Sequence, residues 1–585
     1  MEKALMLGNE AVARGVYEAG ATVVSSYPGT PSTEITEYIA TYDDIYSEWA
    51  PNEKVAFEVA FGAATGGARS FCAMKHVGLN VAADPLYTAA YIGSNAGMVI
   101  AVADDPGMHS SQNEQDSRHH AVASKTPMLE PCDAQECLDF TKRAYDLSEQ
   151  FDTPFLLRLS TRISHSRSLV TLSEREEHPL KEYRKNVQKN VMMPAMARVR
   201  HVDVEKRLEA LREYAETSGI NTIEYGDKKL GIIAAGTTYT YAKEALGDNA
   251  SYLKLGMVNP LPVKLIKEFA KNVDRLVVIE ELDDIIETHC LKHGIAVEGK
   301  SLFPLCGEFS QAVVRKALLD EEKAFTAYDD APIPPRPPVL CAGCPHRGLF
   351  YALKPFNPYV SGDIGCYTLG AQAPLSMIDV CVCMGASVSG LHGFNVARGP
   401  EQAKQSLAVI GDSTFAHSGI TGLVDIAYNQ GISTIVVLDN SITGMTGHQN
   451  NPVNGLTIKG DPTTAIDLEA LAHAIGIRRV TVVDPFDIPA VRQAVETELA
   501  VEEPSLIISR RPCALLKSVK HQAPLFVDAD KCVGCKQCLK VGCPALSQIP
   551  NPANGRTRAV IDPNQCVGCE VCTQACKFSA IQKEG

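Results

Sequence analysis

The C-terminal segment from Cys532 onward holds eight of the nineteen cysteines of this 585-residue chain. They form two runs, Cys-x2-Cys-x2-Cys-x4-Cys-Pro from Cys532 and Cys-x2-Cys-x2-Cys-x3-Cys from Cys566. Three thiolates so closely spaced cover one face of an iron–sulfur cubane, and the fourth thiolate of each run reaches the cluster of the other run. The segment is therefore predicted to fold around two [4Fe–4S] clusters, which leaves it little conformational freedom.

The crossed pattern assigns four thiolates to each cluster. One cluster takes Cys532, Cys535, Cys538 and Cys576, and the other takes Cys543, Cys566, Cys569 and Cys572. The extra residue before Cys543 predicts a slightly longer loop in the first run. The alternative is a zinc-binding or disulfide-linked tail. Zinc sites seldom show two such runs, and clustered cysteines in a reducing compartment are more often metal ligands than disulfides.

Composition and charge exclude several classes of partner. The net charge of −14 argues against nucleic acid, because phosphate binding needs a clustered basic surface. The N-terminus lacks a basic stretch followed by an apolar core, so no secretory signal is predicted. No apolar run reaches the ~20 residues that a membrane helix needs. We expect a cytoplasmic protein that binds neither membrane nor nucleic acid.

Short apolar runs that end in Gly, Pro or Asp alternate with helical stretches. This alternation predicts a multidomain α/β fold in which doubly wound parallel sheets are covered by helices. Ligands of such sheets bind beyond the carboxyl ends of the strands. The predicted division is an α/β domain (1–165), a charged connector (166–222), a second α/β domain (223–330), a Pro-rich linker (331–338), a third α/β domain (339–520) and the small α+β cysteine-rich domain (525–585).

Two neighbouring strand ends in the third domain carry oxygen ligands. The strand 407–410 runs into Gly411-Asp412-Ser413, and the strand 434–438 runs into Asn440 and Ile442. A carboxylate and an amide placed in this way can share one octahedral Mg²⁺, with diphosphate oxygens and water completing the shell. Gly411 lets the backbone approach the phosphates. The alternative is a pair of ordinary strand–turn junctions.

The spacing of these residues resembles the thiamine diphosphate motif. That resemblance implies cofactor binding at Gly411 to Ser413, Mg²⁺ ligation by the Asp412 and Asn440 side chains, and a third ligand from the Ile442 carbonyl. Far upstream, the segment from Glu53 to Gly62 resembles the helix that carries the glutamate activating the aminopyrimidine N1′ in that superfamily. Glu58 is a second candidate within the same helix. The alternative is that Glu53 is an ordinary exposed glutamate at the start of a helix.

Further motifs extend the resemblance to essentially the whole chain. They are Tyr-Pro-Gly-Thr-Pro at 27–31, Asp-Pro-Gly-Met-His at 105–109, Cys-Ala-Gly-Cys-Pro-His-Arg-Gly at 341–348, Gly-Asp-Ile-Gly-Cys-Tyr at 362–367, and the segments 411–419 and 440–449. Together they resemble the 2-oxoacid:ferredoxin oxidoreductases, and more narrowly the large α subunits that act on indolepyruvate. The implied domain order is pyrimidine-binding, transketolase C-terminal-like, diphosphate-binding and ferredoxin-like.

The family implies oxidative decarboxylation of an aryl 2-oxoacid to its acyl-CoA. It implies thiamine diphosphate, Mg²⁺ and [4Fe–4S] cofactors, coenzyme A as co-substrate, and ferredoxin as electron acceptor in an anaerobic setting. It also implies a smaller β subunit of the γ-domain type and an α₂β₂-like assembly. No nicotinamide-binding fingerprint competes with this route, because Gly62-x3-Gly66-Gly67 has neither the spacing nor the strand context.

The same resemblance implies a third, proximal cluster beside thiamine, held by Cys341, Cys344, Cys366 and Cys513. Free buried thiols are the alternative. Cys381 and Cys383 lie in an apolar run and are predicted to be core. Thr30 occupies the position at which related enzymes hold the substrate carboxylate, and three further substrate candidates lie on loops: Lys75, His76 and His109.

Three competing functions remain open on the sequence. A non-oxidative thiamine decarboxylase or ligase shares Glu53, Asp412 and Asn440 but has no use for the eight-cysteine segment. A simple electron carrier explains that segment but not the thiamine motifs. Within the oxidoreductases, the preference for indolepyruvate over phenylpyruvate or pyruvate depends on resemblance alone.

Overall fold

The computed structural model describes residues 2–322, 337–551 and 557–583. The chain divides into two units, Met1–Asp330 and Ala331–Gly585, which are described separately. Most of the predicted Pro-rich linker, 331–336, lies outside the described residues. No helix within the described ranges combines the length and the apolar character that crossing a bilayer requires.

The first unit contains three sheets. Its strands are β1 Lys3–Leu7, β2 Val23–Ser26, β3 Tyr46–Trp49, β4 Ser70–Lys75, β5 Met98–Asp104, β6 Met128–Leu129, β7 Phe155–Ser160, β8 Arg167–Thr171, β9 Thr222–Glu224, β10 Leu230–Ala235, β11 Ser251–Leu255, β12 Met257–Asn259 and β13 Arg275–Ile279. The sheet orders are β12-β6-β7-β5-β4-β2-β3, β13-β10-β11-β9 and β1-β8.

The helices of this unit cover its sheets. They are α1 Gly8–Glu18, α2 Thr33–Ile39, α3 Glu53–Thr65, α4 His76–Val81, α5 Ala83–Ile92, α6 Arg118–Ser124, α7 Ala134–Phe151, α8 Thr161–His165, α9 Val187–Asn190, α10 Pro194–Thr217, α11 Gly236–Leu246, α12 Val263–Lys271, α13 Ile285–Lys292 and α14 Gln311–Leu319.

The seven-stranded sheet is parallel except at one edge. Every residue of its central strand β5 is buried, as expected for a parallel sheet with helices on both faces. The antiparallel edge strand β12 comes from the predicted second domain and pairs with β6. The turn into β12 is fixed because the Asn221 Oδ1 accepts hydrogen bonds from the N–H groups of Gly256 and Met257. The two α/β sheets of this unit are thus joined by one continuous stretch of chain.

The segment 166–222, which was predicted to be a connector with helical pieces, also contains a β-strand and one long helix. Strand β8 pairs antiparallel with β1, which places the start of this segment against the first residues of the chain. The long helix α10 then buries Val204, Leu211 and Ala215. The sequence did not predict β8, because its periodicity is weak and the strand depends on pairing with β1, more than 150 residues earlier.

The second unit is built on one parallel sheet, in the order β15-β14-β16-β17-β19-β18. Its strands are β14 Tyr359–Gly362, β15 Val380–Cys381, β16 Ser406–Gly411, β17 Thr434–Asp439, β18 Arg479–Val483 and β19 Ser505–Arg510. Its helices are α15 Pro345–Leu353, α16 Ala386–Arg398, α17 Pro400–Ala403, α18 Asp412–Thr414, α19 Ile420–Tyr428, α20 Leu468–Ile475, α21 Ile488–Leu499 and α22 Val571–Gln574, and the π-helical turn Phe415–Gly419 connects α18 to α19. The predicted α/β fold is confirmed in both units.

One prediction about this sheet is wrong. Cys381 and Cys383 were expected in the core, but Cys381 is half-buried and Cys383 is exposed. The reason is that β15 is a two-residue strand at the edge of the sheet. An edge strand is covered less completely than a central strand of the same apolar composition.

The cysteine-rich segment has little regular structure. Strand β20 Leu525–Val527 pairs with β23 Ile581–Lys583, and β21 Leu546–Pro550 pairs with β22 Thr557–Ile561, both antiparallel. Its small core consists of aliphatic side chains and cysteines, of which only five residues are fully buried. A core of this size is too small to stabilise the segment alone. Small domains of this kind are usually stabilised by a bound metal.

Candidate functional site

Three oxygens converge at the carboxyl edge of the six-stranded sheet. Strands β16 and β17 are parallel neighbours with Gly411 opposite Leu438, so the residues that follow them lie at the same edge. Asp412 and Asn440 are both buried there. The Asn440 Oδ1 lies 2.8 Å from the Ile442 carbonyl oxygen and 3.2 Å from the Asp412 Oδ1.

Three acceptors cannot satisfy one another, so something must lie between them or the amide must turn. With the amide rotated, its Nδ2 would donate to the same two oxygens. With the amide as it stands, a cation fits, because neighbouring oxygens of an octahedral Mg²⁺ shell with bonds of about 2.1 Å are about 3.0 Å apart. The observed separations therefore suit a hard cation, and they equally suit a rotated amide that donates to both oxygens.

The pKa of Asp412 is consistent with a cation at this position. Burial, together with the nearby Asp439 carboxylate, raises the pKa of Asp412 to about 7. A cation would offset both effects. The Asn451 Nδ2 donates to the Asp412 Oδ2 at 3.4 Å, and the Thr443 hydroxyl donates to the Ser413 hydroxyl at 2.9 Å.

Gly411 also makes room for an aromatic ring, because a side chain here would meet the Tyr367 ring at 2.7 Å. Its predicted role in the approach of the backbone to the phosphates stays a prediction.

A buried histidine that sequence reasoning missed lies behind the amide. The Asn440 Nδ2 is 3.5 Å from the His346 Nε2, which is the arrangement of an amide whose oxygen faces the cation site. Burial lowers the pKa of His346 to about 4, so its ring is neutral near pH 7 and can accept this hydrogen bond. His346 is part of the Cys-Pro-His-Arg segment, but nothing in the sequence indicated that its side chain supports an amide at a metal site.

Cys341, Cys344, Cys366 and Cys513 are brought together beside these oxygens. Burial, together with Cys513 and Cys341, raises the pKa of Cys366 to about 11. Burial, together with Cys366 and Cys341, likewise raises the pKa of Cys344 to about 12. The backbone N–H of Cys513 donates to the Asn440 carbonyl at 2.9 Å. The cysteine group is thus tied directly to the loop that carries the amide ligand.

The eight C-terminal cysteines line two separate cavities. One cavity is lined by Cys532, Cys535, Cys538 and Cys576, and the other by Cys543, Cys566, Cys569 and Cys572. This grouping is the one that crossed wiring requires. We call them the first and second cluster cavities.

The sulfur atoms already receive hydrogen bonds. The Ala580 N–H donates to the Cys576 Sγ and the Leu525 N–H donates to the Cys566 Sγ, both at 3.4 Å. Burial raises the pKa of Cys538 to about 11, with Cys576 contributing next. Thiols so crowded lose their protons when a metal binds, because the ligand is the thiolate. All nineteen cysteines lie in the described ranges and are free, so the disulfide alternative is not formed.

In the first unit, Glu53 begins α3 and is buried, while Glu58 is exposed and pairs with Lys54. The Asn52 side chain caps this helix by accepting the Val55 N–H at 2.9 Å. A side chain at position 78 would approach the Glu53 Oε1 to 2.7 Å, so Gly78 makes room for the carboxylate. Of the two candidate glutamates, only Glu53 is shielded from solvent.

Two of the substrate candidates meet on the loop after β5. The Lys75 ammonium donates to the Ser110 carbonyl at 2.7 Å, and the Ser110 hydroxyl donates to the Thr30 carbonyl at 3.2 Å. Burial lowers the pKa of Lys75 to about 8. His76 is buried next to Lys75, and burial lowers its pKa as well.

His109 does not join this group. It is exposed and lies 3.2 Å from the Glu308 carboxylate, which also binds Arg162.

Comparison with known proteins agrees with this arrangement. Residues 14–222 match the model described as "Pyruvate flavodoxin/ferredoxin oxidoreductase, thiamine diP-bdg", residues 363–509 match "Thiamine pyrophosphate enzyme, C-terminal TPP binding domain", and residues 559–582 match "4Fe-4S binding domain". These ranges contain Glu53, the converging oxygens and the second cysteine run, respectively.

Curated relatives cover nearly the whole chain. The indolepyruvate oxidoreductase subunit IorA of Archaeoglobus fulgidus is 39% identical, with 93% of each chain covered. The subunit of the same name from Pyrococcus abyssi is 40% identical over 100% of this chain and 97% of its own, and that of Thermococcus kodakarensis is 40% identical over 100% and 98%. The chain therefore belongs to the indolepyruvate oxidoreductase subunit IorA family, thiamine diphosphate- and [4Fe–4S]-binding subunits of multi-subunit enzymes that oxidatively decarboxylate 2-oxoacids with ferredoxin.

Proposed function

We propose that this chain oxidatively decarboxylates an aryl 2-oxoacid, indolepyruvate above all, to the acyl-CoA. The balanced reaction is R-CO-COO⁻ + CoA-SH + two oxidised ferredoxins → R-CO-S-CoA + CO₂ + H⁺ + two reduced ferredoxins. The aryl preference is supported by the names of the relatives, and phenylpyruvate or pyruvate are the alternative substrates. A smaller β subunit in an α₂β₂-type assembly completes the proposed enzyme.

When bound, thiamine diphosphate supplies the electron sink for decarboxylation, and the iron–sulfur clusters carry the electrons away singly. In the proposal, the Glu53 carboxyl exchanges a proton with N1′ of the aminopyrimidine. Mg²⁺ would be held by the Asp412 carboxylate, the Asn440 amide oxygen and the Ile442 carbonyl, and their convergence within 2.8–3.2 Å supports this assignment. Lys75 attracts the substrate carboxylate, supported by its burial beside the Thr30 turn.

One observation favours an oxidative enzyme over a non-oxidative decarboxylase. The Cys513 N–H donates to the carbonyl of Asn440 at 2.9 Å, so the proposed metal ligand and a proposed cluster ligand share one hydrogen bond. A non-oxidative enzyme has no need of a thiolate group at that place. We infer that Cys341, Cys344, Cys366 and Cys513 bind a proximal [4Fe–4S] cluster that receives electrons beside the cofactor.

The residues that line each cavity support an order for the clusters. Ala342 and Gly343, between two of the proximal cysteines, also line the second cluster cavity. Cys538 of the first cavity adds to the electrostatic raising of the pKa of Cys572 in the second. Cys535 is exposed, with Val533 and Phe578 beside it. We propose that electrons run from the proximal cluster through the second cavity to the first, where ferredoxin collects them. Nineteen free cysteines and oxygen-sensitive clusters favour a reducing cytoplasm.

The test begins with composition. The anaerobically purified chain, together with its partner subunit, is assayed for iron, acid-labile sulfide and thiamine diphosphate. We expect about twelve iron atoms and one thiamine per chain, the content of three cubanes. About eight iron atoms would remove the proximal cluster, and full iron with no thiamine after addition of Mg²⁺ and cofactor would overturn the catalytic proposal. Reduction of ferredoxin with indolepyruvate, phenylpyruvate, pyruvate and 2-oxoglutarate, each with and without coenzyme A, then tests the substrate and the acceptor.

A further inference from the structure

Arg347 lies between two of the proposed cluster sites with its charge uncompensated. It follows Cys344 in the first turn of α15 and is 3% exposed. Its guanidinium lines the second cluster cavity together with the four cysteines of that cavity. The same positive charge works against the rise in pKa of Cys344 in the proximal group and of Cys543 and Cys569 in the second. One side chain therefore faces both groups.

The hydrogen bonds of Arg347 join the two loops that carry these cysteines. Its Nη2 donates to the carbonyls of Leu340 and Cys341, the latter at 3.1 Å, at the start of the proximal loop. Its Nη1 donates to the carbonyls of Val541 and Gly542, the former at 3.2 Å, just before Cys543. Arg347 thus holds the loops at a fixed separation from each other.

No carboxylate neutralises this guanidinium among the residues that the structure describes. Every acceptor is a neutral carbonyl, and the buried Nε has no partner there. A buried unpaired charge is costly, and proteins keep one where another charge compensates it. Cubanes held by four thiolates carry net negative charge, which would supply the missing compensation.

We propose that Arg347 is a positioning residue for electron transfer, which sets the reduction potentials of the proximal and second clusters. The inference rests on the proposed function, since it needs clusters at both cysteine groups. An electron arriving on either cluster adds negative charge beside the guanidinium. A fixed positive charge stabilises that reduced state and raises the potential, because net charge and hydrogen bonding around a cluster set its potential. The first cluster cavity is not lined by Arg347, so its potential should not depend on this residue.

The test is a redox titration of the purified holoenzyme followed by electron paramagnetic resonance, without substrate. In Arg347→Gln, the reduced-to-oxidised ratio of the proximal and second clusters at a fixed potential should fall about tenfold, equal to about 59 mV for one electron. The first cluster should stay within error of the unmodified enzyme. Arg347→Lys, which keeps the charge, should recover most of the shift. Arg479→Gln removes an arginine paired with Glu498 and should move none of the three potentials.

Unchanged potentials in an Arg347→Gln enzyme with full iron content would overturn the proposal, as would equal shifts at all three clusters. Should the Gln variant fail to assemble its clusters, Arg347→Met and Arg347→Lys decide together: potentials that fall in the Met variant but not in the Lys variant support a role of the charge, and equal potentials in both contradict it. A native enzyme that lacks the proximal signal counts against the proposed function, and the potential of the second cluster still tests Arg347 by itself.

Discussion

The Oδ1 atoms of Asn440 and Asp412 face each other across 3.2 Å, with the Ile442 carbonyl 2.8 Å from the first of them. Without a metal, the amide can rotate so that its Nδ2 donates to both oxygens, whereas a bound cation would hold the amide oxygen toward them. The buried Asp412 carboxylate favours a cation at this edge but costs stability without one, a common trade between function and stability.

The substitution Asp412→Asn separates these two effects. It keeps the volume of the side chain and removes the buried charge, so Mg²⁺-dependent binding of thiamine diphosphate should weaken about 100-fold or more. The metal-free variant should nevertheless be more stable than the native chain by about 1–3 kcal/mol, because a buried ionised carboxylate is lost. Isothermal titration calorimetry measures the first effect and urea unfolding in chelator the second. Asp425→Asn, at an exposed position of α19, serves as the matched control and should change neither.

Glu53 and Glu58 offer a second matched pair on one helix. Glu53→Gln should lower kcat by about 10²- to 10⁴-fold, the usual contribution of proton transfer by a placed carboxyl group. Iron content should be unaffected, because all the proposed cluster ligands belong to the second unit. Glu58→Gln should cost nothing measurable, since its partner Lys54 is also exposed. Steady-state ferredoxin reduction decides, and the reverse order of the two variants would assign the role to Glu58.

Crossed wiring of the clusters is tested with serine substitutions. Cys566→Ser and Cys543→Ser should each remove the same cluster signal, although the two residues belong to different sequence runs. About four iron atoms per chain should be lost in either case. Cys306→Ser, an exposed free thiol, is the control and should keep full iron. Iron analysis with electron paramagnetic resonance distinguishes this from the sequential wiring, in which Cys543→Ser would remove the signal shared with Cys532.

What the sequence could predict were the features that depend on short spacings. The two cavities group the cysteines as the runs imply, because closely spaced thiolates can reach only a few positions. Strand ends that carry Asp412 and Asn440 could likewise be placed at one edge, since parallel neighbours end together. Local patterns were sufficient wherever the relevant partners lie within a few residues or on adjacent strands.

The features that escaped prediction depend on distant partners. Strand β12 joins the first sheet through β6, which lies more than 120 residues earlier, and β8 pairs with β1. Cys383 is exposed because β15 turned out to be a sheet edge. His346 and Arg347 looked like parts of a cysteine motif, and only the fold shows that one lies behind the Asn440 amide and the other between two cysteine groups. Composition cannot reveal such neighbours.

Lys75 makes the proposed substrate affinity depend on pH. Burial lowers its pKa to about 8, so the ammonium is charged below that value and loses its proton as the pH rises through it. KM for an anionic 2-oxoacid should therefore be lowest below pH 8 and should rise above it. Lys75→Met should raise KM about tenfold at pH 7, as expected for loss of a charged hydrogen bond, and should abolish this pH dependence. Lys54→Met, at an exposed lysine, should keep the native profile; a native profile in Lys75→Met would remove Lys75 from the site.

Glu281 makes stability depend on pH in the opposite sense from most carboxylates. It is buried beside the second sheet of the first unit, where the Phe309 N–H donates to its Oε1 at 2.7 Å. Burial raises its pKa from 4.5 to about 7. Between those values the folded chain binds a proton that the unfolded chain has released, so the free energy of unfolding should fall as the pH rises through this window and level off above pH 7.

Glu281→Gln removes this contribution while leaving an oxygen for Phe309. The variant should match the native chain near pH 4.5 and exceed its stability by about 3 kcal/mol at pH 8, following the size of the pKa shift. Urea unfolding at both pH values measures the difference, and Glu244→Gln on the exposed side of α11 should show none. A Gln variant that is less stable at pH 8 would mean that the ionised carboxylate has a compensating partner, and the nearby Arg158 would then be the residue to substitute next, because its positive charge already opposes the rise in the pKa of Glu281.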